Sequence, residues 1–138
     1  MKEGYIYIMR DPINNNLIKV GFSVNPFNRV KQLYNTSTPL PFNIYQIWWV
    51  EDMRLAEKAA HECLRGHRIN NRREFFEIAP SEYFDKYESS DYDISSCYLN
   101  TLIGIIENGF NYIDIFFISI DINKLYRLFL EQGNLSLE

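Results

Sequence analysis

The first half of the chain consists of short apolar runs separated by segments rich in turn-forming residues. Aromatic and β-branched residues are concentrated in "YIYIM", "LIKVGF" and "FNIYQIWWV", which predict strands at 5–9, 17–22 and 42–50. The Asn-rich segment 11–16 predicts a hairpin loop between the first two strands. A further short strand is predicted within 68–78, where a basic turn leads into "EFFEI".

Helical patterns occupy the intervals between these strands. One apolar stripe predicts a helix at 52–67 that Gly66 ends, and its members are Leu55, Ala56, Ala59, Ala60 and Cys63. Shorter helices are predicted at 25–35, where Pro26 fits the first turn, and at 81–87. The order β-β-α-β-α-β-α predicts an α/β sandwich around a small, mostly antiparallel sheet.

The chain changes character after residue 87. A polar, acidic joint at 88–96 leads into a segment rich in Ile and Phe, with helices predicted at 97–107 and 121–132 and an unassigned element at 112–120. We therefore predict a core domain at 1–87 and an extension at 88–138. Because the extension is apolar, we expect it to pack on the core or on a partner, and a homodimer formed through it is a further hypothesis.

Composition narrows the class of protein. A chain of 138 residues with 46% hydrophobic and 23% charged residues is long enough for one globular core. Cys63 and Cys97 form no disulfide framework or zinc motif, and the sequence has neither a signal-peptide pattern nor an apolar run of membrane-spanning length. These features predict a soluble intracellular protein, cytoplasmic or nuclear, with no membrane partner.

The net charge of −4 is divided unevenly along the chain. Residues 1–80 carry 11 Lys and Arg against 8 Asp and Glu, a balance of +3, whereas residues 81–138 carry 3 against 10, a balance of −7. This asymmetry favours a mildly basic functional half followed by an acidic extension.

The lysine within the second predicted strand, Lys19, is the first residue that suggests a functional role, because inward-facing positions of a strand are normally apolar. Lys19 joins Tyr7, Arg29, His61 and Glu74 in a scattered polar set, while no familiar nucleotide-binding or protease motif is present. Such a set would suffice for metal-assisted phosphodiester hydrolysis. A carboxylate binds Mg²⁺, arginine stabilises developing charge, and a base deprotonates water.

Six short motifs in order resemble one known family. They are "GYIYIM", "IKVG", "NRVKQL", "TPLPF", "AEKAAHECL" and "REFFEI", spread over residues 4–78. Together they resemble the GIY-YIG nuclease superfamily, and within it the branch named after a bacteriophage T5 open reading frame. The resemblance implies an α/β sandwich with a three-stranded antiparallel sheet, and a metal-dependent endonuclease that uses Mg²⁺ or Mn²⁺ on DNA.

The resemblance also implies roles for individual residues. Tyr7 matches the tyrosine that helps to activate the nucleophilic water, and Lys19 replaces the tyrosine of the second motif. Arg29 matches the arginine at the scissile phosphate, and Glu74 matches the single carboxylate that holds the metal. His61 matches a helix histidine that acts as a base or a phosphate contact. One departure is Phe22, at a position where related sequences often have lysine.

Each assignment has a structural alternative. Tyr7 could be ordinary strand packing, Lys19 could extend from a strand edge, and Arg29 could form an ion pair with Glu74. His61 could pair with Glu57 one helical turn away. A basic run is predicted to contact phosphates, with a solvated loop as its alternative, and comprises Arg65, Arg68, Arg72 and Arg73.

Two functions therefore remain open at this point. The first is a GIY-YIG-type endonuclease that hydrolyses DNA. The second is a catalytically weak or inactive nucleic-acid-binding or interaction module with the same fold, which Phe22 and the acidic extension favour. The high Asn and Ile content suggests an AT-rich genome, viral or phage.

Overall fold

The computed structural model describes residues 2–11, 13–25, 43–69, 75–79 and 91–124. Five strands lie in this part of the chain: β1 Gly4–Arg10, β2 Leu17–Ser23, β3 Asn43–Val50, β4 Phe75–Glu77 and β5 Phe117–Ser119. Two α-helices, α1 Met53–Cys63 and α2 Asp91–Tyr112, accompany them, with a 3₁₀ turn at Arg65–His67. The predicted helices at 25–35 and 81–87, and most of the one at 121–132, lie outside the described residues.

The strands form one antiparallel sheet in the order β4-β2-β1-β3-β5. The α/β class is as predicted, but the expected three-stranded sheet is wrong, because the two outer strands enlarge it to five. β4 is the short strand predicted within 68–78, whereas β5 lies in the element at 112–120 that the sequence left unassigned. The predicted strands 5–9, 17–22 and 42–50 correspond closely to β1, β2 and β3.

The two faces of the sheet bury different sets of side chains. On one face Ile6 and Ile8 of β1 join the main core, which the two helices cover. On the other face Tyr7 and Met9 form a smaller cluster with Ile47. Successive residues of a strand point to opposite faces, so β1 supplies both layers at once.

Helix α1 begins and ends with clear local signals. Asp52 caps its first turn, with the side chain accepting a hydrogen bond from Leu55 N at 3.2 Å. Met53, Ala56 and Ala60 are buried. Ala56 and Ala60 belong to the predicted apolar stripe, but Leu55 does not face the core, since it is 43% exposed. The helix ends at Cys63, earlier than the predicted boundary at residue 67, because the chain tightens into the 3₁₀ turn.

Helix α2 packs on the main core through side chains between residues 98 and 110. It is longer than the predicted helix at 97–107, and its core residues are Leu99, Leu102, Ile106 and Phe110. The indole Nε1 of Trp48 donates to Glu107 Oε2 at 2.9 Å, and the Trp48 and Phe110 rings meet edge to face with centroids 5.5 Å apart. The division of the chain at residue 87 stays a prediction. In the described part of the chain, neither helix combines the length and apolar character needed to cross a membrane.

A buried arginine ties the end of β1 to the start of α2. Arg10 is 4% exposed. Its guanidinium donates to Asn15 O at 2.7 Å, to Ser96 Oγ at 2.8 Å and to Ser95 Oγ, and it lies 5.6 Å from the ring centroid of Tyr45. Because a buried cation is tolerated only when its donors are satisfied, this network fixes the two elements relative to each other.

We expect Arg10→Met to lower the free energy of unfolding by about 3 kcal/mol, because it keeps the length of the side chain but leaves the buried acceptors unpaired. Urea unfolding followed by circular dichroism measures this. Arg54→Met is the control, since Arg54 is exposed on α1. Equal midpoints for the two variants would contradict a structural role for the Arg10 network.

Candidate functional site

Tyr7 and Lys19 lie on the same face of the sheet. Tyr7 pairs with Gly21 across β1 and β2, and Met9 pairs with Lys19. Direct cross-strand partners share a face, as do residues two apart in a strand. The structure therefore brings together the two residues of the hairpin that sequence patterns single out.

Lys19 sits between the centre of the sheet and β4. It pairs with Phe75, the first residue of β4, and its Nζ lies 5.8 Å from the centroid of the Phe75 ring. An ammonium group at this distance from an aromatic face is favourably placed. The cation thus stands on the Tyr7 face, next to the strand that follows Glu74 in the chain.

Because Gly21 has no side chain, the Tyr7 hydroxyl has room to lie against it. A Cβ atom built on Gly21 would lie 2.5 Å from the Tyr7 hydroxyl oxygen and 2.8 Å from Cζ, well inside van der Waals contact. The glycine of "IKVG" is therefore required for steric reasons at this point. The tyrosine is 4% exposed, so its ring is held firmly against β2.

His61 reaches the sheet from the α1 side. Its Nε2 lies 3.1 Å from Val20 O and donates to it, since a carbonyl oxygen only accepts. Its ring meets Phe76 with centroids 5.3 Å apart, and Phe76 belongs to the main core. The structure thus places the described contacts of His61 on the face opposite Tyr7 and Lys19. In the neutral ring, Nδ1 is left as the nitrogen that carries a lone pair.

The two described arginines of the basic run are exposed and differ in their contacts. Arg65 forms a surface ion pair with Glu62 at 3.2 Å, of the kind that adds little stability. Arg68 lies with its guanidinium carbon 5.6 Å from the centroid of the Phe76 ring. Both remain available at the surface beside the start of the basic turn.

The other predicted site residues lie outside the described part of the chain: Arg29, Arg72, Arg73 and Glu74. Their roles stay predictions. Among the residues that the structure describes, no group of three or more His, Cys, Asp or Glu side chains is arranged to hold a metal ion. A site with a single protein carboxylate, as the resemblance implies, would not form such a group.

Cys63 lies at the packing surface between the two helices. Burial raises the pKa of the Cys63 thiol, and the neighbouring Glu62 carboxylate raises it further. The sulfur therefore stays a neutral thiol at physiological pH, and its geometry, 3.9 Å from Ile105 O, is that of a packing residue.

Two residues near β4 were missed by sequence reasoning. Asn16 hydrogen-bonds to Ala79 through its side-chain amide, and His67 donates from Nδ1 to Glu77 O at 3.0 Å. Asn16 is the last of three asparagines in a turn, a context in which Asn is common without any further role. The sequence therefore carries no signal that distinguishes it from its neighbours.

Comparison with known families agrees with this geometry. The model of the T5orf172 domain matches residues 4–89, more than half of the chain. The chain belongs to the T5orf172 domain family. The match confirms the resemblance to the phage-named branch of the GIY-YIG superfamily, and it indicates a nuclease-like or DNA-interacting module. No curated protein and no solved structure matches the chain.

Gly21→Ala should displace Tyr7 and lower the free energy of unfolding by about 1 to 3 kcal/mol, because the added methyl group overlaps the hydroxyl. The loss should be smaller in a Tyr7→Phe background, where the nearest atom is gone. Urea unfolding of the two single variants and the double variant measures the coupling.

Gly104→Ala is the matched control, because a Cβ atom there meets nothing within 4 Å. It should leave stability unchanged or raise it slightly, since alanine favours the helix. Additive effects of Gly21→Ala and Tyr7→Phe would contradict direct contact between these two side chains.

Proposed function

We propose that this protein is a metal-dependent endonuclease that hydrolyses phosphodiester bonds in DNA. Family membership supports a nuclease-like module. The observation that carries the finer proposal is the placement of Tyr7 and Lys19 on one face of the sheet, with the Tyr7 hydroxyl against Gly21. A hydroxyl and an ammonium group on one face of a sheet are suited to a phosphate and the water that attacks it.

In the proposed reaction, the oxygen of a water molecule attacks phosphorus. The P–O bond to the leaving sugar oxygen breaks, and the proton lost by the water passes to a base. Tyr7 takes part in orienting and deprotonating the water, and Lys19 and Arg29 stabilise the negative charge that develops on the phosphate. His61 is given no step in this reaction, because its described contacts lie on the face of the sheet opposite Tyr7 and Lys19.

Glu74 is proposed to hold the divalent cation, Mg²⁺ or Mn²⁺. When bound, the cation would neutralise charge on the scissile phosphate. Glu74 directly precedes Phe75, and Phe75 pairs with Lys19, so its place in the chain is consistent with the proposed site.

A binding or interaction module without strong catalysis is the second candidate. One observation favours it: Tyr7 is only 4% exposed, whereas a residue that touches a reacting phosphate must be reachable. Only the endonuclease is expected to cleave DNA and to lose that cleavage when the metal-binding charge is removed. The following experiment separates the two candidates on this basis.

Glu74→Gln should abolish cleavage of DNA in Mg²⁺ or Mn²⁺ while DNA affinity in EDTA stays within about twofold, because the variant keeps its size and loses the charge that binds metal. Tyr7→Phe should lower the cleavage rate by about 10² to 10⁴ if its oxygen takes part in proton transfer. Arg29→Ala should cost a similar factor. Gel assays of DNA and RNA substrates with purified protein measure these rates.

Glu3→Gln and Tyr5→Phe are the matched controls, since Glu3 is exposed and Tyr5 lies on the same strand and face as Tyr7. Both should cleave like the wild type. A wild type that cuts neither DNA nor RNA with either metal would establish the binding module as the better function. Full activity of Glu74→Gln would overturn the assignment of the site.

A second prediction concerns the basic run. Replacing Arg68, Arg72 and Arg73 together by alanine should flatten the dependence of log Kd on log salt by about 0.9 for each phosphate that is no longer neutralised. Fluorescence anisotropy with labelled duplex DNA between low and moderate salt measures the slope. Arg54→Ala, an exposed arginine of α1, should leave the slope unchanged. An unaltered slope in the triple variant would assign the run to a solvated loop.

A further inference from the structure

The Tyr7 face of the sheet carries large apolar side chains that the described part of the chain leaves exposed. Trp49 pairs with Tyr5 on one side and with Ile118 on the other, so these side chains form a row across β1, β3 and β5. Phe116 extends the row, and its ring meets Trp49 edge to face with centroids 6.0 Å apart. We call these four residues the aromatic patch.

The aromatic patch is exposed although its burial would stabilise the fold. Phe116 is 58% and Ile118 is 48% exposed, and Tyr5 and Trp49 are half-buried. Phe117, which lies between Phe116 and Ile118 in the chain, instead packs against the main core. Single exposed apolar residues are common in soluble proteins, whereas a contiguous exposed apolar patch marks an interaction surface.

The rings of the aromatic patch are carried by a fixed backbone. Phe116 N donates to Glu51 Oε1 at 3.0 Å, and Glu51 N donates to Phe116 O at 3.2 Å. Trp49 belongs to β3, which pairs with a strand on each side. A ligand that stacks on these rings therefore has few protein groups left to order, which lowers the entropic cost of binding.

The aromatic patch adjoins Tyr7 on the same face of the sheet. Tyr7 pairs with Ile47, and Trp49 follows Ile47 by two residues in β3. Tyr7 and Trp49 are therefore diagonal neighbours, a relation that separates residues by about 7 to 8 Å. Successive nucleotides of a stacked strand are about 3.4 Å apart. The patch thus lies about two nucleotides away from a phosphate bound at Tyr7.

Nucleobases suit this surface better than a second copy of the chain. The family is nuclease-like or DNA-interacting, and Lys19 places a positive charge on the same face, where it can meet the backbone of a bound strand. Every base has an aromatic face that stacks on Trp, Tyr or Phe side chains. The strand edge open to a second copy is β5, whose three residues offer few backbone hydrogen bonds.

We propose that the aromatic patch stacks unpaired bases of the strand that is cut at the Tyr7 face, so that the substrate is single-stranded or locally unpaired DNA. Bases of an intact duplex are stacked on one another and do not offer their faces to a protein. The position of the scissile phosphate in this inference rests on the proposed nuclease function. The stacking contact itself requires neither metal nor cleavage.

The test measures the affinity of the full-length protein for a labelled single-stranded oligonucleotide and for its duplex, both in EDTA. Trp49→Leu should weaken binding of the single strand about 5-fold to 100-fold, the loss expected when a stacked base loses its ring. Duplex affinity should change by less than about twofold. Phe116→Leu should have the same selective effect. Tyr112→Leu is the matched control, because Tyr112 is an exposed aromatic residue of α2 outside the patch, and it should leave both affinities unchanged.

Tryptophan fluorescence separates stacking from a structural role. The chain has two tryptophans, and Trp48 is buried in the main core, so quenching by an unlabelled single strand should come from Trp49. Trp49→Phe keeps an aromatic ring and should bind the single strand within about threefold of the wild type, but without quenching. If Trp49→Leu does not fold, Phe116→Leu carries the affinity comparison, since its side chain is mostly exposed.

Binding in EDTA distinguishes failure of this inference from failure of the nuclease proposal. Selective loss of single-strand affinity in Trp49→Leu and Phe116→Leu would support the stacking role even if the wild type cut no substrate. Single-strand affinities equal to that of the wild type would overturn it even if the wild type cleaves DNA. A wild-type dimer that Phe116→Leu converts to a monomer in analytical ultracentrifugation, with single-strand affinity unchanged, would assign the patch to contact between two copies and overturn it as well.

Discussion

The central position of β1 is the constraint on which the rest of the structure depends. Because β1 pairs with β2 on one side and β3 on the other, its backbone hydrogen bonds are committed and its side chains must alternate between two faces. Ile6 and Ile8 fill the core under the helices, and Tyr7 is thereby directed to the opposite face. The same pairing that buries the isoleucines places the tyrosine over Gly21. The strand pairing that forms this hairpin therefore also positions the residues of the candidate site.

The parts of the fold that could be predicted from the sequence are those with a period. β1 and β3 contain clusters of aromatic and β-branched residues, and α1 has an apolar stripe, so each was visible without tertiary information. β4 was predicted within 68–78 although it has only three residues, whereas β5, equally short, lies in the element at 112–120 that stayed unassigned. The start of α2 was also not predicted, because its first turns contain Ser95 and Ser96, which are not strong helix formers. Their place in the helix becomes clear only through their hydrogen bonds with Arg10.

The candidate site likewise has a part that could be predicted from the sequence and a part that could not. Tyr7 and Lys19 share a face as a direct result of the strand period and the hairpin register. The contacts of Asn16 and His61 could not be predicted, because their partners Ala79 and Val20 lie 63 and 41 residues away in the chain. Such contacts depend on how β4 and α1 dock on β2, which local patterns do not encode.

The register also changes the meaning of Phe22, the departure that most favoured an inactive module. Phe22 pairs with Ile6 and packs against the main core, so it points to the helix-covered face. A lysine there would have pointed away from Tyr7, and its replacement by phenylalanine leaves the charge on the Tyr7 face unchanged. Lys19 places a positive charge on the Tyr7 face. Phe22 therefore carries no weight against catalysis, and the choice between nuclease and binding module turns on how a phosphate reaches the buried Tyr7.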